Sequence, residues 1–278
     1  MVRGSNFGVF VEDSNEFNKI FMPFAKKLQK SLLDKGLCCE FQPNINTFLG
    51  TKIIFGVHSR PEKWANHLTL SDIIVNLEPV FQDDWRSKNS LYCNLLKRHQ
   101  VLDYTKKNKV YAGEHDVITI PPLLSCPTQQ EKDKLIFFVG NLTTYRRQII
   151  QSFHKHRINV HFGFRLFGQQ LASEINRAAI FLNINEKNND TFNAFRFALC
   201  SGLNTLFVGD SGDWSSTQEI KPAIGVSIVE EPQMISELAS ALVNEPTYYA
   251  EALNLQKQIA NRQNEKFTEF VWHYFGKR

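Results

Sequence analysis

Short, continuously apolar runs alternate with amphipathic stretches along the whole chain. Phe7-Gly8-Val9-Phe10-Val11 reads as a buried strand, residues 17–35 carry apolar side chains at helical spacing until Gly36 ends the pattern, and Cys38–Phe41 reads as a second strand. Further strands are expected at residues 52–57 and 72–77, a helix over 91–98, and short strands near 101 and over 117–120. Strands that are apolar at every position are covered on both faces, which is the habit of a parallel sheet.

The stretch from Pro121-Pro122 through Ser125-Cys126-Pro127-Thr128-Gln129-Gln130-Glu131-Lys132 is rich in Pro and polar residues and reads as a connection between domains. A second series follows: a strand over 135–140, a helix over 144–156, a strand over 160–162, a helix over 171–177, strands over 180–184 and 205–208, and between these two a short helix ending at Gly202. Residues 248–274 are helix-compatible, with Trp272 and Phe275 late in the pattern. Two βα series of similar length predict an α/β protein of two Rossmann-like domains facing a cleft, 1–127 and 128–278, with the last helix crossing back onto the first domain.

Composition adds bounds. With 42% hydrophobic and 22% charged residues over 278 positions, the chain is expected to fold throughout. No apolar run approaches the roughly 18 residues of a membrane span, and the start, MVRGSNFGVFVEDSNEF, lacks the layout of a secretory signal, so a cytoplasmic location is expected. Cys38, Cys39, Cys93, Cys126 and Cys200 form no CxxC and are read as reduced structural thiols. A net charge of +4 favours anionic ligands such as nucleotides, or an acidic membrane surface. It is lower than a dedicated nucleic-acid binder would carry, and no stable nucleic-acid partner is expected. Walker A, Gly-x-Gly-x-x-Gly and His-Glu-x-x-His patterns are absent from the sequence, so no cofactor is implied. Gly209-Asp210-Ser211-Gly212 is read as a turn, and His154-Lys155-His156-Arg157 as a solvated helix end.

Chemistry concentrates at strand ends. In Phe138-Val139-Gly140-Asn141-Leu142-Thr143-Thr144-Tyr145-Arg146-Arg147 a glycine turn, a polar cap and two arginines meet at a strand-to-helix junction. Helix N-termini and guanidinium groups both favour phosphate oxygens, although a plain turn with surface arginines has the same sequence. Asn183-Ile184-Asn185 and Phe192-Asn193-Ala194-Phe195-Arg196 through Ser201-Gly202 read as strand, polar loop and short helix. His58 and Glu78 follow strands of the first series and are candidate bases, with Asp103 a weaker third; structural pairing is the commoner fate of such residues.

These segments resemble bacterial GT-B glycosyltransferases, of the family 1/4-like, cell-surface polysaccharide type. The resemblance runs from about Ile74 to Asp210: Phe138-Val139-Gly140 with Arg146-Arg147, Phe181-Leu182-Asn183, Asn193 with Arg196, Ser201-Gly202, and Leu206-Phe207-Val208-Gly209-Asp210. Val75-Asn76-Leu77-Glu78 and Val101-Leu102-Asp103-Tyr104 resemble the family's strand ends upstream. Where the family carries a glutamate on the donor-domain helix, this chain has Asn193, an amide that can bond hydroxyls but brings no charge. The resemblance implies sugar transfer from a nucleotide-sugar donor to a hydroxyl of a glycan or glycolipid in polysaccharide or lipopolysaccharide assembly, with peripheral contact to the inner membrane surface. It implies donor binding by Gly140, Asn141, Arg146, Arg147, Asn183, Asn193, Arg196, Ser201 and Asp210. No Asp-x-Asp occurs in the sequence, so metal-independent transfer is expected. A nucleotide-sugar epimerase, a non-catalytic nucleotide- or sugar-binding protein, and a DNA-base glucosyltransferase remain as alternatives.

Overall fold

The computed structural model describes residues 6–12, 14, 16–78, 80, 90–110, 115–124, 132–185, 192–212 and 218–276. The N-terminal five residues, most of the expected interdomain connection (125–131, with Cys126) and the expected domain boundary lie outside the described residues. The chain divides into two compact units, Met1–Thr119 with Glu265–Arg278, and Ile120–Asn264.

In the first unit β1 (Asn6–Val11) leads through a 3-10 segment, Glu16–Phe21, into α1 (Met22–Asp34) and β2 (Cys38–Phe41). Phe24, Ala25, Leu28 and Leu32 form the buried stripe of α1, and Pro23 sits in its first turn, where no backbone N–H is needed. The helix stops because Gly36 takes φ +75° and the Leu37 N–H returns to the Leu32 carbonyl at 3.1 Å. Next come β3 (Thr51–Phe55), a helical turn Val57–Ser59, α2 (Pro61–Ala65), β4 (Ile73–Asn76), α3 (Ser90–Arg98), β5 (Gln100–Asp103) and β6 (His115–Val117). All pairings are parallel, in the order β2-β1-β3-β4-β5-β6. The expected strand over 117–120 thus starts earlier and stops at Val117. Lys52 is buried within β3 because the Asp72 carboxylate accepts both its backbone N–H (2.7 Å) and its ammonium (3.3 Å).

In the second unit β7 (Lys134–Val139) is followed by α4 (Thr144–Ser152), which tightens to a 3-10 turn over Phe153–His156 before Arg157 adopts the left-handed region. Then follow β8 (Val160–Gly163), α5 (Gly168–Asn176), β9 (Ala178–Asn183), α6 (Ala194–Gly202), β10 (Leu206–Asp210), β11 (Ile228–Val229), α7 (Ile235–Asn244) and α8 (Pro246–Phe275). The parallel order is β11-β10-β9-β7-β8. Ile136, Phe138, Ile180, Leu182, Leu206 and Val208 share one core with residues of α4 and α7. Phe192, Phe197 and Phe207 make a second, aromatic cluster, and Phe181 pairs with Phe137. From α8, Gln256 accepts the Phe207 N–H and donates to the Thr205 carbonyl, both at 2.8 Å, filling the ladder positions of a missing strand. From Glu265 onward α8 belongs to the first unit, where Phe267 meets Phe24 and Phe275 meets Phe7 at a centroid distance of 5.5 Å.

Counting strands within each unit, the first sheet runs 2-1-3-4-5-6 and the second 2-1-3-4-5, so in both the winding reverses between the first and third strands. Crevices at the carboxyl ends of such strands bind ligands in open α/β sheets. The switch points lie at the ends of β1 and β3 in one unit and of β7 and β9 in the other.

Candidate functional site

In the second unit two helices present the same device at the switch point. Thr143 caps α4, its hydroxyl accepting the Arg146 N–H at 3.3 Å; Asn193 caps α6, its side-chain oxygen accepting the Arg196 N–H at 3.0 Å. Each arginine is therefore the third residue of its helix, and because helical side chains lean toward the N-terminus, both reach toward the ends of β7 and β9.

The two arginines differ in how they are held. Arg146 is buried and spends Nε on the Ile184 carbonyl (3.0 Å) and Nη1 on the Asn141 carbonyl (3.0 Å), tying the turn after β7 to the end of β9. Gly140, with φ +146°, makes room for it: a Cβ there would lie 3.2 Å from Arg146 Nη1. Arg196 is partly exposed, donates from Nη1 to Asn183 Oδ1 at 3.2 Å and lies over the Phe181 ring. Among the described residues no carboxylate stands within ion-pair distance of it. Burial, and then the neighbouring Arg146 charge, push its guanidinium down to about 10. It stays charged at neutral pH, in a place that disfavours positive charge.

Around this pair the other expected donor residues fall into two groups. Asn183 is buried at the end of β9; its Nδ2 has no hydrogen-bond partner among the described residues. Asp210, at the end of β10, accepts the Asn185 N–H at 2.9 Å and so pins the chain leaving β9. Asn193, expected to meet donor hydroxyls, is the cap of α6 instead, and its oxygen is committed to the backbone. Arg147 is exposed and turned to the Leu142 carbonyl. Ser201 does not join the cluster. It lies seven residues beyond the first residue of α6, about 10 Å along the helix axis, beside Gly202, whose Cα packs so closely on the Leu123 carbonyl that a Cβ would stand 1.9 Å away.

In the first unit His58 follows Gly56, which takes φ +79°, and its Nε2 lies 3.8 Å from Glu78 Oε1. His58 is held edge-on by Phe21 and Tyr92, at 6.0 and 6.1 Å. Asp103 is fully enclosed: Asn76, Thr105 and Asn108 donate to it, and Asn76 in turn accepts from Tyr92 Oη at 2.6 Å. That environment suits a hub that fixes the loops after β4 and β5. Glu12, directly after β1, is a group that the sequence reading passes over. It is buried at the switch point and accepts from Lys63 Nζ (2.7 Å), Trp64 Nε1 (3.1 Å) and the Ser14 N–H (3.2 Å). Burial pulls its pKa up, but the bonds from Lys63 and Ser14 outweigh burial and hold the carboxyl below its ordinary range. The available signal was an acid directly after the first buried strand.

No family model matches the chain, and no curated protein matches it. Among solved structures it is similar to T4 phage BGT in complex with its UDP-glucose substrate, at 14% identity over 97% of this chain and 98% of that one, with a TM-score of 0.59. It is also similar to AviGT4, a glycosyltransferase involved in avilamycin A biosynthesis, at 11% identity over 96% and 98% of the two chains, with a TM-score of 0.51. A structure of the DNA-modifying enzyme β-glucosyltransferase gives 13% identity, 97% and 98% coverage and a TM-score of 0.58. At such identities the likeness is one of fold: this chain has the GT-B fold, an α/β architecture with two parallel sheets.

Proposed function

We propose that the chain is a glycosyltransferase that takes a sugar from a nucleotide-sugar donor, with the donor diphosphate seated at the β7/β9 switch point of the second unit. One observation carries the reading: two capped helix N-termini, each with an arginine at its third position, meet where Arg196 has no carboxylate partner among the described residues. Helix termini and guanidinium groups together stabilise a departing diphosphate, the task a metal performs in other transferases, so the proposed transfer is metal-independent. Arg146 is assigned the shaping of the turn, and Arg196 the contact with phosphate. His58 and Glu78 are proposed as the pair from which the base for the acceptor hydroxyl is drawn.

The acceptor is proposed to be a hydroxyl of a glycan or glycolipid handled in the cytoplasm, at or near the membrane face, as the resemblance to cell-surface enzymes implies. A hydroxyl on a DNA base is the second reading, favoured by the likeness to the DNA-modifying β-glucosyltransferase.

The direct test mixes purified chain with a panel of UDP-, GDP- and TDP-sugars in EDTA and follows nucleotide release, with and without glycolipid or hydroxyl-bearing duplex DNA. Acceptor-dependent release from one nucleotide class is expected, lost in Arg196→Met. Conversion of the donor to an isomer without acceptor would replace the transferase with an epimerase. Binding with neither outcome would leave a sugar-nucleotide-binding protein.

A further inference from the structure

Between Asp133 and Glu174 the chain contains no Asp or Glu, while it carries Lys134, Arg146, Arg147, Lys155, Arg157 and Arg165 and three histidines. A net charge of +4 for the whole chain conceals this, because the carboxylates are concentrated elsewhere. The segment is one βαβ element, and its last strand, β8, is the edge of the second sheet. Lys155, Arg157, His161 and Arg165 are exposed along that edge, before, within and after the strand. Phe162 and Phe164 are exposed as well, at 53% and 63%, and Arg165 lies 5.2 Å from the centre of the Phe164 ring. Beside the strand runs an open groove of about 590 Å³, lined by Phe162, Phe164, Leu166, Gln169 and Gln170. Among the described residues Glu174 is the one acid on its wall, and Arg177 pairs with it at 3.2 Å.

From these observations we infer that the β8 edge binds single-stranded nucleic acid. Two exposed aromatic rings, Phe162 within β8 and Phe164 directly after it, form a platform on which unpaired bases stack, and flanking cations follow the phosphates. Side-chain amides such as those of Gln169 and Gln170 pair with base edges without demanding one sequence. A merely solvated helix end explains Lys155 and Arg157 but not two half-exposed phenylalanines set among cations with no acid between them. The surface lies on one unit and is independent of sugar transfer; a chain inactive toward every nucleotide sugar would still carry it.

The test is fluorescence anisotropy with a labelled oligo-dT 20-mer, the same length of duplex, and phosphatidylglycerol vesicles as competitor, on wild type, Phe164→Ala and Lys155→Glu. Single strands are expected to bind best. Three phosphate contacts predict a loss of roughly 20-fold in affinity between 50 and 200 mM salt. Phe164→Ala should weaken binding at least about fivefold, the value of one stacked base, and Lys155→Glu should flatten the salt dependence. Phe164 is the more exposed of the two rings, so its loss leaves the fold intact; circular dichroism melts confirm that each variant is folded. No binding, duplex binding as tight as single-strand binding, displacement of the oligonucleotide by vesicles at equal phosphate, or binding indifferent to both substitutions overturns the proposal.

Discussion

Replacing Arg196 by methionine removes a charge while keeping much of the side chain's length and apolar contact, so it separates a structural pin from an anion site. The guanidinium is held near 10 against an ordinary 12.5. At about 1.4 kcal/mol per pKa unit that is about 3 kcal/mol of unfavourable charge, and partial exposure trims it to about 2. Methionine relieves that cost but leaves Asn183 Oδ1 without its donor, which costs about 1–3 kcal/mol. The two effects nearly cancel, so the melting temperature should move by no more than about 4 °C in either direction. Arg146→Met is different, because it strips the donor from the buried Ile184 carbonyl; about 2–3 kcal/mol, or roughly 5–10 °C, should be lost. Titration calorimetry with UDP in EDTA then supplies the second coordinate. A charge-assisted bond to phosphate contributes about 1.5–3 kcal/mol, so Arg196→Met should weaken UDP roughly 10- to 100-fold in a protein that melts like the wild type. If Arg196→Met melts as low as Arg146→Met while wild type and variant bind UDP alike, or not at all, Arg196 is a structural side chain and the assigned donor site fails.

Three further outcomes follow from the same geometry. Asn193→Ala removes the cap of α6 and should cost about 1 kcal/mol in melting experiments. Because Arg196 is fixed by that first turn, the donor KM should rise more than kcat falls, and Asn193→Ser should restore both. Gln256→Leu leaves the Phe207 N–H and Thr205 carbonyl unpaired in a buried place, so urea unfolding of the second unit should show a loss of about 2–4 kcal/mol. Asp103 is pushed up to about 7 by burial, against hydrogen bonds from Asn76, Thr105 and Asn108 that favour the charged form. With the folded value above the unfolded one near 4, its stabilising contribution is complete below about pH 4 and is lost as pH rises through about 7, by at most about 4 kcal/mol. The wild-type urea midpoint minus that of Asp103→Asn should fall across this window, and a difference that stays flat from pH 4 to 8 would refute the shift.

The parts of the fold that were legible are those in which burial repeats with one period. The strands Asn6–Val11, Ile73–Asn76 and Lys134–Val139 are apolar along almost their whole length, the mark of burial on both faces, and that pattern predicts a parallel sheet. Helix α7 carries an equally regular set, Ile235, Leu238, Ala239 and Leu242, but no strand-like run follows to mark it as part of a βα repeat. The site was legible only as far as composition reaches. Asn193 and Thr143 stand three residues before Arg196 and Arg146, and that spacing is the mark of a helix cap. Read as a cap, it accounts for the asparagine at this position: the residue serves the first turn of α6. The resemblance implies a donor-binding Ser201, but that residue stands in the last turn of α6, about 10 Å along the axis from the first turn. The charge of the β8 edge escaped for the opposite reason, since a sum over the chain averages away a surface of one sign. Whether a segment meets phosphate is decided by where its carboxylates are missing, a local property that survives in the sequence when it is counted element by element.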